Sequence, residues 1–417
     1  MHELIKNNNT WYLARAGGGG SSSSGGHSSS SSSHSSSSSY SRSSGGSSGS
    51  IDGPWYWTLF FILLFAGVPI LFVVLVIKLS KGKYSTATSV PAGYIDPEKD
   101  GSEEEKKLAR RSREVFLAFQ SAWSNFDLGS IEKFTSSVFY KKMVLELNVL
   151  KNYERQNKME NVKISSVFLL KNNQYDEGFS VFITASSQDK LIDNKENKTI
   201  YDDNSTFSEI WSFVKVKNKY VLDKIDQTTA DASKYDSTIA GFASANNFYY
   251  DPDFGWLMMP SRGAIFGPAG FGNADINNHV IGYYKDIIVE FYSYEPSAGA
   301  GMQPFVVAQA ILPKSYDDIL VTEKSWYGFK PKAKGLNKIE TESVEFNKKF
   351  AVWAANQDQA TSFELLATNF MERIYKLEFE INIEVVDNVL YLYSPSKNIS
   401  YSDMLEVLTW AFKEMKM

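Results

Sequence analysis

Few residues of this chain are of the types that carry chemistry. The sequence has no cysteine and only four histidines, which excludes thiolate nucleophiles, disulfides and cysteine-ligated zinc. No histidine lies between Glu103 and Gln227, so the commonest proton shuttle is missing there. His279, in DINNHVIG, is interpreted as a structural histidine. No catalytic residue, metal ligand or cofactor is predicted, and the protein is expected not to be an enzyme.

The glycine-rich stretch from Gly255 to Gly272, GWLMMPSRGAIFGPAGFG, is a second candidate for chemistry. It lacks the G-x-x-x-x-G-K-[ST] spacing of a loop that cradles phosphate. A strand–turn–strand with glycines at the turns is predicted instead. Residues 228–417 contain 16 basic and 24 acidic residues, whereas a nucleic-acid partner needs a basic footprint. Nucleic acid is therefore not expected as a partner.

The most apolar segment is residues 55–77, WYWTLFFILLFAGVPILFVVLVI, which contain no charged residue. A helix of this length, at ~1.5 Å per residue, crosses the ~30 Å hydrocarbon core of a bilayer. A transmembrane helix is therefore predicted over 55–78. The side chains predicted at the membrane interfaces are Trp55, Tyr56, Trp57, Lys78, Lys81 and Lys83. The three lysines predict a single-pass plasma-membrane protein with its N-terminus outside and its C-terminal domains in the cytoplasm.

Composition divides the rest of the chain into a tail, a linker and folded parts. Between Gly17 and Ser50, 30 of 34 residues are Ser or Gly, a composition that cannot bury a core. The predicted segments are a disordered outer tail (1–54), the transmembrane helix (55–78), a polar linker (79–102), a first domain (103–227), a connector with some strands (228–278) and a C-terminal α+β domain (279–417).

The first domain opens with a predicted helix over Glu103–Asn125, which has one apolar stripe and acidic residues in its first turn. Its polar face carries Lys106, Lys107, Arg110, Arg111 and Arg113. Two interpretations stay open. Either the stripe packs on its own domain and the basic face is solvated, or the basic face contacts anionic lipid headgroups, where each cation contributes ~1 kcal/mol.

Beyond this helix the period of the apolar residues changes. The pattern stays helical over 130–150, with Asp127 predicted as a helix cap. Apolar residues then alternate along four segments: 162–170, 179–183, 207–213 and 221–225. Alternation indicates half-buried strands. Helices followed by antiparallel strands predict an α+β domain with helices on one face of a curved sheet.

Residues 103–227 resemble the Tim-44-like family, named after a peripheral subunit of the mitochondrial import motor. The resemblance rests on the helix motif F-x-x-x-Q-x-A-W from Phe116 to Trp123, on D-L-x-x-I from Asp127 to Ile131, and on a late strand with Trp211. It implies a nuclear transport factor 2-like cone, in which three helices pack against a bent sheet around an apolar cavity. The predicted cavity-lining residues are Phe119, Trp123, Phe134, Tyr140, Trp211 and Phe213.

The C-terminal domain shows strand alternation from His279 and a helical pattern over 357–377. A hairpin is predicted about Asp387-Asn388, and a capping box at Ser400 opens the last helix. Residues 305–394 resemble a bacterial family of membrane-associated domains of unknown function, on the motifs EFNKKFAV, ELLATNFM and VDNVLY. This resemblance implies an architecture and a membrane setting but no activity.

These observations predict a cytoplasm-facing, membrane-anchored scaffold that binds proteins and is linked to membrane-protein handling or translocation. Its expected partners are membrane lipids and a membrane protein. A carrier of apolar ligands or lipids that uses the cone cavity is the alternative, and a cavity enzyme is a weaker third reading. An enzyme would need a positioned acid or base, and none is recognisable.

Overall fold

The protein is described by a computed structural model of the chain. The described residues are 88–171, 175–204, 206–228, 234–252, 263–266, 276–294, 304–324, 335–355, 365–395 and 398–417. All of them belong to one compact unit. Within it, residues 88–228 form a first module and residues 234–417 a second, each built around its own antiparallel sheet.

Four helices described in the first module precede most of its strands, and side-chain caps fix where they start. The helices are α1 (Pro97–Asp100), α2 (Glu103–Ser124), α3 (Leu128–Phe134) and α4 (Ser137–Asn152). Ser102 and Glu105 form a capping box at α2, and Asp127 accepts a hydrogen bond from the Ser130 amide at α3. Such caps satisfy amides that a helix leaves without partners. The predicted cap role of Asp127 is confirmed.

The first sheet is strongly bent. Its strands are β1 (Tyr94–Ile95), β2 (Arg155–Leu170), β3 (Gly178–Asp193), β4 (Lys198–Asp203), β5 (Thr206–Val216) and β6 (Lys219–Gln227). They pair in the order β1-β2-β3-β5-β6, and β4 adds to one end of β3. Register shifts between β2 and β3 after Glu160 and Ile164 mark bulges, which bend strands and increase their twist. The α+β character predicted for this region is present.

The second module places a seven-stranded sheet beneath a layer of helices. Its strands are β7 (Tyr249–Asp251), β8 (Ile276–Tyr284), β9 (Ile287–Tyr294), β10 (Phe305–Glu323), β11 (Asn337–Ile339), β12 (Phe350–Ala354) and β13 (Asn382–Ser394). Its helices are α5 (Ser237–Ala245), α6 (Val344–Lys349), α7 (Thr368–Tyr375) and α8 (Tyr401–Glu414). The sheet order is β11-β12-β10-β9-β8-β7, with β13 on β10. The capping box predicted at Ser400 is confirmed.

The hairpin predicted about Asp387-Asn388 is wrong. β13 continues through both residues, because its two halves pair with the same long strand, β10. The register shifts opposite Tyr316, and Asp387 adopts a left-handed backbone with φ of 55°. Turn-forming residues thus make a bulge, which bends the strand. The bulge also shifts by one position which residues of β13 face each side of the sheet.

Two hydrophobic clusters form the core. One lies between the second sheet and its helices and includes Phe291, Leu390 and Leu408. The other starts inside the first module, around Trp123, and continues onto the opposite face of the second sheet at Tyr391. The two modules therefore share one continuous apolar interior.

The prediction of a single-pass membrane protein is corrected. Among the described residues, no helix is long and apolar enough to cross a membrane. The longest, α2, has 22 residues, of which nine are charged, and burying charges in hydrocarbon is costly. The predicted span, 55–78, and its interface residues from Trp55 to Lys83 lie outside the described residues. The predicted plasma-membrane location and topology therefore have no support in this structure.

Candidate functional site: the tyrosine face of the second sheet

The two faces of the second sheet differ in chemistry although both are buried. The face under the helices carries apolar side chains such as Val289, Ala308 and Leu390. The residues that alternate with them point to the opposite side. We call that side the tyrosine face, defined by Glu290, Tyr292, Tyr294, Gln309, Tyr391 and Tyr393, together with Asn382 and Glu384 beyond the bulge in β13. All of these side chains are almost completely buried.

Strand register brings the polar residues of this face into rows. Gln309 of β10 lies opposite Glu290 of β9 on one side and opposite Tyr391 of β13 on the other. In the next row, Val307 lies between Tyr292 and Tyr393. Side chains directly opposite each other on one face are within contact distance, so the three strands build a single polar surface.

One half of the tyrosine face is a closed hydrogen-bond network. The Tyr292 hydroxyl donates to Gln309 Oε1 at 2.8 Å, and Gln309 Nε2 donates to Glu290 Oε1 at 2.7 Å. His279 Nε2 lies 2.8 Å from Glu290 Oε2. Buried polar groups that satisfy one another in this way rigidify a core. The interpretation of His279 as a hydrogen-bonded structural histidine agrees with this geometry.

The first module contributes to the same network. Tyr153, the C-cap residue of α4, donates its hydroxyl to Glu290 Oε1 at 3.2 Å and accepts from Gln309 Nε2 at 3.1 Å. Burial, followed by the nearby Glu290 charge, raises the pKa of Tyr153 well above its usual range. Tyr153 therefore stays protonated and remains a donor to Glu290, which couples the modules.

The other half of the tyrosine face is built around Glu384. Its carboxylate accepts hydrogen bonds from the backbone amides of Ala264, at 2.5 Å, and Ile265, at 3.3 Å. Burial raises the pKa of Glu384 to about 7, against the two amide hydrogen bonds, which lower it. Burying a carboxylate is costly unless it is hydrogen-bonded, so these two amides offset part of that cost.

The two amides belong to a short segment that covers this half, which we call the strap: Gly263–Phe266. Its Ile265 and Phe266 side chains are almost completely buried. The Phe266 ring packs edge-to-face with the rings of Tyr294 and Tyr391. Its centroid lies 5.4 Å from that of Tyr294 and 5.8 Å from that of Tyr391. Gly263 has φ of +134°, a backbone conformation that L side chains rarely adopt. The glycine thus allows the chain to turn into the strap.

Burial and the Glu384 charge raise the pKa of Tyr393 well above its usual range. The bulge at Asp387 lies between Glu384 and Tyr393 on β13.

Two polar side chains of the tyrosine face have no hydrogen-bond partner. They are Asn382, through both its amide oxygen and nitrogen, and the hydroxyl of Tyr393. Neither residue is exposed to solvent. Buried polar groups are nearly always hydrogen-bonded, so these two side chains have capacity for an additional polar contact.

An open cleft lies beside the network, at the junction of the modules. It has a volume of about 120 Å³ and is lined by Asn152, Tyr153, Glu154, Arg155, Asp193, Lys195, Ser315, Val386, Asp387, Asn388 and Val389. Lys195 Nζ and Asp387 Oδ2 form an ion pair of 2.7 Å across it. Two lining residues, Glu154 and Asp387, have left-handed backbones with φ of 52° and 55°. Such strained positions often cluster at functional sites.

A buried charge pair lies on α4 of the first module. Lys142 Nζ and Glu146 Oε1 on α4 lie 3.7 Å apart, and neither residue is exposed. Burial lowers the pKa of Lys142 and raises the pKa of Glu146 to about 8. Asp251 on β7 contributes to the electrostatics of both. Within the described chain, no group of three or more His, Asp or Glu side chains is placed to hold a metal ion.

The predicted cavity-lining aromatics pack against one another inside the first module. Phe119 has ring centroids within 6.3 Å of Trp123, Phe134 and Trp211. Phe213 pairs instead with Phe179 at 4.7 Å, and Tyr140 is half-buried against the same cluster. Four of the six residues thus meet around Phe119, and their rings occupy the interior of the bent sheet.

The basic face of α2 is partly neutralised by its own helix. Lys106 pairs with Glu103 at 2.9 Å, and Arg111 pairs with Glu114 at 3.5 Å. The Arg110 Nε atom donates to the Lys106 carbonyl at 3.4 Å. Lys107 is exposed and Arg113 is half-buried. The predicted contact of these five residues with lipid headgroups stays a prediction.

Sequence reasoning missed the tyrosine face. A signal was present in the alternating tyrosines of FYSY, which includes Tyr292 and Tyr294, and of YLY, which includes Tyr391 and Tyr393. Alternation shows that such residues share one face of a strand. It does not show that the helices cover the opposite face.

Comparison with known proteins gives a family of unknown function for the C-terminal region. Residues 306–413 match the bacterial family described as "Protein of unknown function (DUF3137)". No curated protein matches the chain. Among solved structures, the chain is similar to the crystal structure of the mycobacterial trehalose monomycolate transport factor A. The identity is 13%, the match covers 42% of this chain and 89% of that one, and the TM-score is 0.32.

Proposed function

We propose that this protein is a protein-binding scaffold without enzymatic activity, and that the cleft between its modules holds a side chain of a protein partner. The observation that carries the proposal is the cleft itself, which both modules line and which contains charged groups of both signs. Tyr153 lies at the cleft and is hydrogen-bonded to the buried network. A partner would therefore meet a surface that is already held in place.

The size of the cleft favours a protein partner. Pockets for small molecules usually have volumes of ~300–1,000 Å³, whereas this cleft has about 120 Å³. That volume suits one anchoring side chain. The mixed charges, from Glu154, Arg155, Asp193, Lys195 and Asp387, suit a polar rim around such an anchor.

The alternative is a carrier of apolar ligands or lipids that uses the interior of the first module, in line with its predicted cone. The rings around Phe119 argue against it, because they occupy that interior. A ligand would have to displace close-packed side chains. The Tim-44-like resemblance of residues 103–227 is part of this proposal and supports a binding role for the module without choosing the partner.

Site-specific crosslinking tests the scaffold. Because the chain has no native cysteine, a maleimide reagent labels only the cysteine that is introduced. Full-length Ser315→Cys carries a benzophenone maleimide at an exposed position in the cleft. Glu406→Cys, on the exposed side of α8, is the matched control on the helix-covered side. In extracts of the native host, we expect a discrete crosslinked protein from position 315 and not from position 406. Adding Lys195→Glu should reduce its yield several-fold.

Native mass spectrometry of the same full-length protein distinguishes the alternative. Stoichiometric bound lipid, together with equal crosslinking from positions 315 and 406, would contradict the scaffold proposal and support the carrier. Protein crosslinks confined to position 315, without bound lipid, support the scaffold.

A further inference from the structure

We propose that the part of the tyrosine face around Glu384 is a binding site for a peptide of a partner protein that forms a single 3-10 turn, and that the strap, itself such a turn, occupies the site as an internal substitute. The peptide that fits has a small residue followed by an aliphatic and an aromatic residue. This site is separate from the cleft and does not depend on the cleft's function.

The main-chain part of the recognition comes from Glu384. Its carboxylate accepts hydrogen bonds from the amides of Ala264 and Ile265, two successive backbone donors. Any peptide that presents two free amides in the same conformation can make these hydrogen bonds. The charged acceptor strengthens them.

The side-chain part of the recognition comes from the tyrosines. Phe266 packs on Tyr294 and Tyr391, while Ile265 belongs to the same hydrophobic cluster as these rings and Tyr393. Main-chain hydrogen bonds that give affinity and side-chain contacts that give specificity are a common combination in peptide recognition. The aliphatic–aromatic order of the strap therefore defines the preferred ligand.

The site has polar capacity that the strap leaves unused. Asn382 lies two residues from Glu384 on the same face of β13, and neither its amide nor the Tyr393 hydroxyl has a hydrogen-bond partner. A peptide with polar groups that reach these two side chains would gain hydrogen bonds which the strap does not make. Such a peptide can compete with the strap although the strap is tethered.

The probe is a fluorescent peptide with the sequence SRGAIFGPA, residues 261–269 of this chain, blocked at both ends. Fluorescence anisotropy measures its binding to the full-length protein and to Phe266→Ser, which weakens the strap. Because the strap reduces the competent fraction, we expect at least ten-fold tighter binding to Phe266→Ser. Combining it with Glu384→Gln should reverse most of this gain.

A second probe peptide carries N-methyl groups on the backbone nitrogens that correspond to Ala264 and Ile265, which removes the two hydrogen-bond donors. Its binding should be at least ten-fold weaker. Equal affinity of the two peptides, equal affinity for the two proteins, or no binding to either protein would each overturn the proposal. If Phe266→Ser does not fold, hydrogen exchange of wild-type protein decides. Excess peptide should accelerate exchange at the Ala264 and Ile265 amides, and unchanged exchange would overturn the proposal.

Discussion

The two faces of the second sheet are buried to the same extent but hold different kinds of side chain. The helix-covered face packs hydrocarbon and rings, as at Phe291, which contacts Phe242, Phe248 and Tyr401. The tyrosine face instead places hydroxyls, amides and carboxylates where water does not reach. The first arrangement is non-directional and supplies stability. The second needs a specific hydrogen-bond partner for each polar group, and it therefore constrains the geometry of the strands that carry it.

The largest expected effect is the loss of a ring from the helix-covered face. Phe291→Ala should lower the free energy of unfolding by ~3–5 kcal/mol, because it removes a fully buried ring and leaves a cavity. Its matched control is Tyr292→Phe, one residue along on the tyrosine face, which removes only a hydroxyl and should cost ~1–2 kcal/mol. Urea unfolding measures both. A larger loss for Tyr292→Phe would reverse the comparison.

The pH dependence of stability should come from the tyrosine face. The pKa of Glu384 is about 7 in the folded protein and 4.5 ordinarily, so the folded state holds this proton more tightly. The stability that protonated Glu384 contributes to the folded state is complete below pH 4.5 and is lost as the pH rises through 7. At pH 8, Glu384→Gln should therefore be more stable than wild type by up to ~3 kcal/mol.

Chemical unfolding at intervals between pH 4.5 and 8 tests this prediction, with Glu406→Gln on exposed α8 as control. The stability difference for Glu384→Gln should grow with pH, while the difference for the control stays flat. A difference that shrinks with pH would mean that the ionised carboxylate is the favoured form in the folded protein.

The closed network should show coupling that the helix-covered face lacks. Gln309→Leu removes the acceptor of the Tyr292 hydroxyl and a donor to Glu290, and should cost ~1–3 kcal/mol. In a double-mutant cycle with Tyr292→Phe, the coupling energy should be ~1 kcal/mol, since the two side chains share a hydrogen bond. Strictly additive costs would show that the network is a set of independent contacts.

The smallest effect is expected at the rim of the cleft. The Lys195–Asp387 ion pair is partly exposed, at 41% and 27% of the side-chain surfaces, and such pairs contribute ~0–1 kcal/mol. Lys195→Ala should therefore change stability little, and by less at 0.5 M salt than at low salt. A loss comparable to that of Gln309→Leu would extend the buried network out to the cleft.

Local signals predicted much of the architecture. The capping residues at Asp127 and Ser400 determine helix starts through their own hydrogen bonds, so neighbouring sequence is enough to find them. Alternation found most strands. It missed β4, whose residues from Lys198 to Asp203 are largely polar, because pairing with β3 alone holds that strand in the sheet.

The errors arose where one local signal fits two structures. Asp387-Asn388 favours a left-handed backbone, which serves a hairpin turn or a bulge equally well. Only the length of β10, which pairs with both halves of β13, decides for the bulge. Four of the aromatics predicted to line a cavity, Phe119, Trp123, Phe134 and Trp211, pack against one another, and that they line a cavity stays a prediction.

The sequence by itself determined that this chain contains α+β modules and where several helices begin, because period and capping are properties of neighbouring residues. Only the tertiary structure decided which face of the second sheet lies under the helices and which is the tyrosine face. The tyrosines of β9 and β13 become one surface through their common partner β10. Glu384 gains its two amides from a strap about 120 residues away in the chain. Such long-range pairings leave no local trace, and they create the sites proposed here.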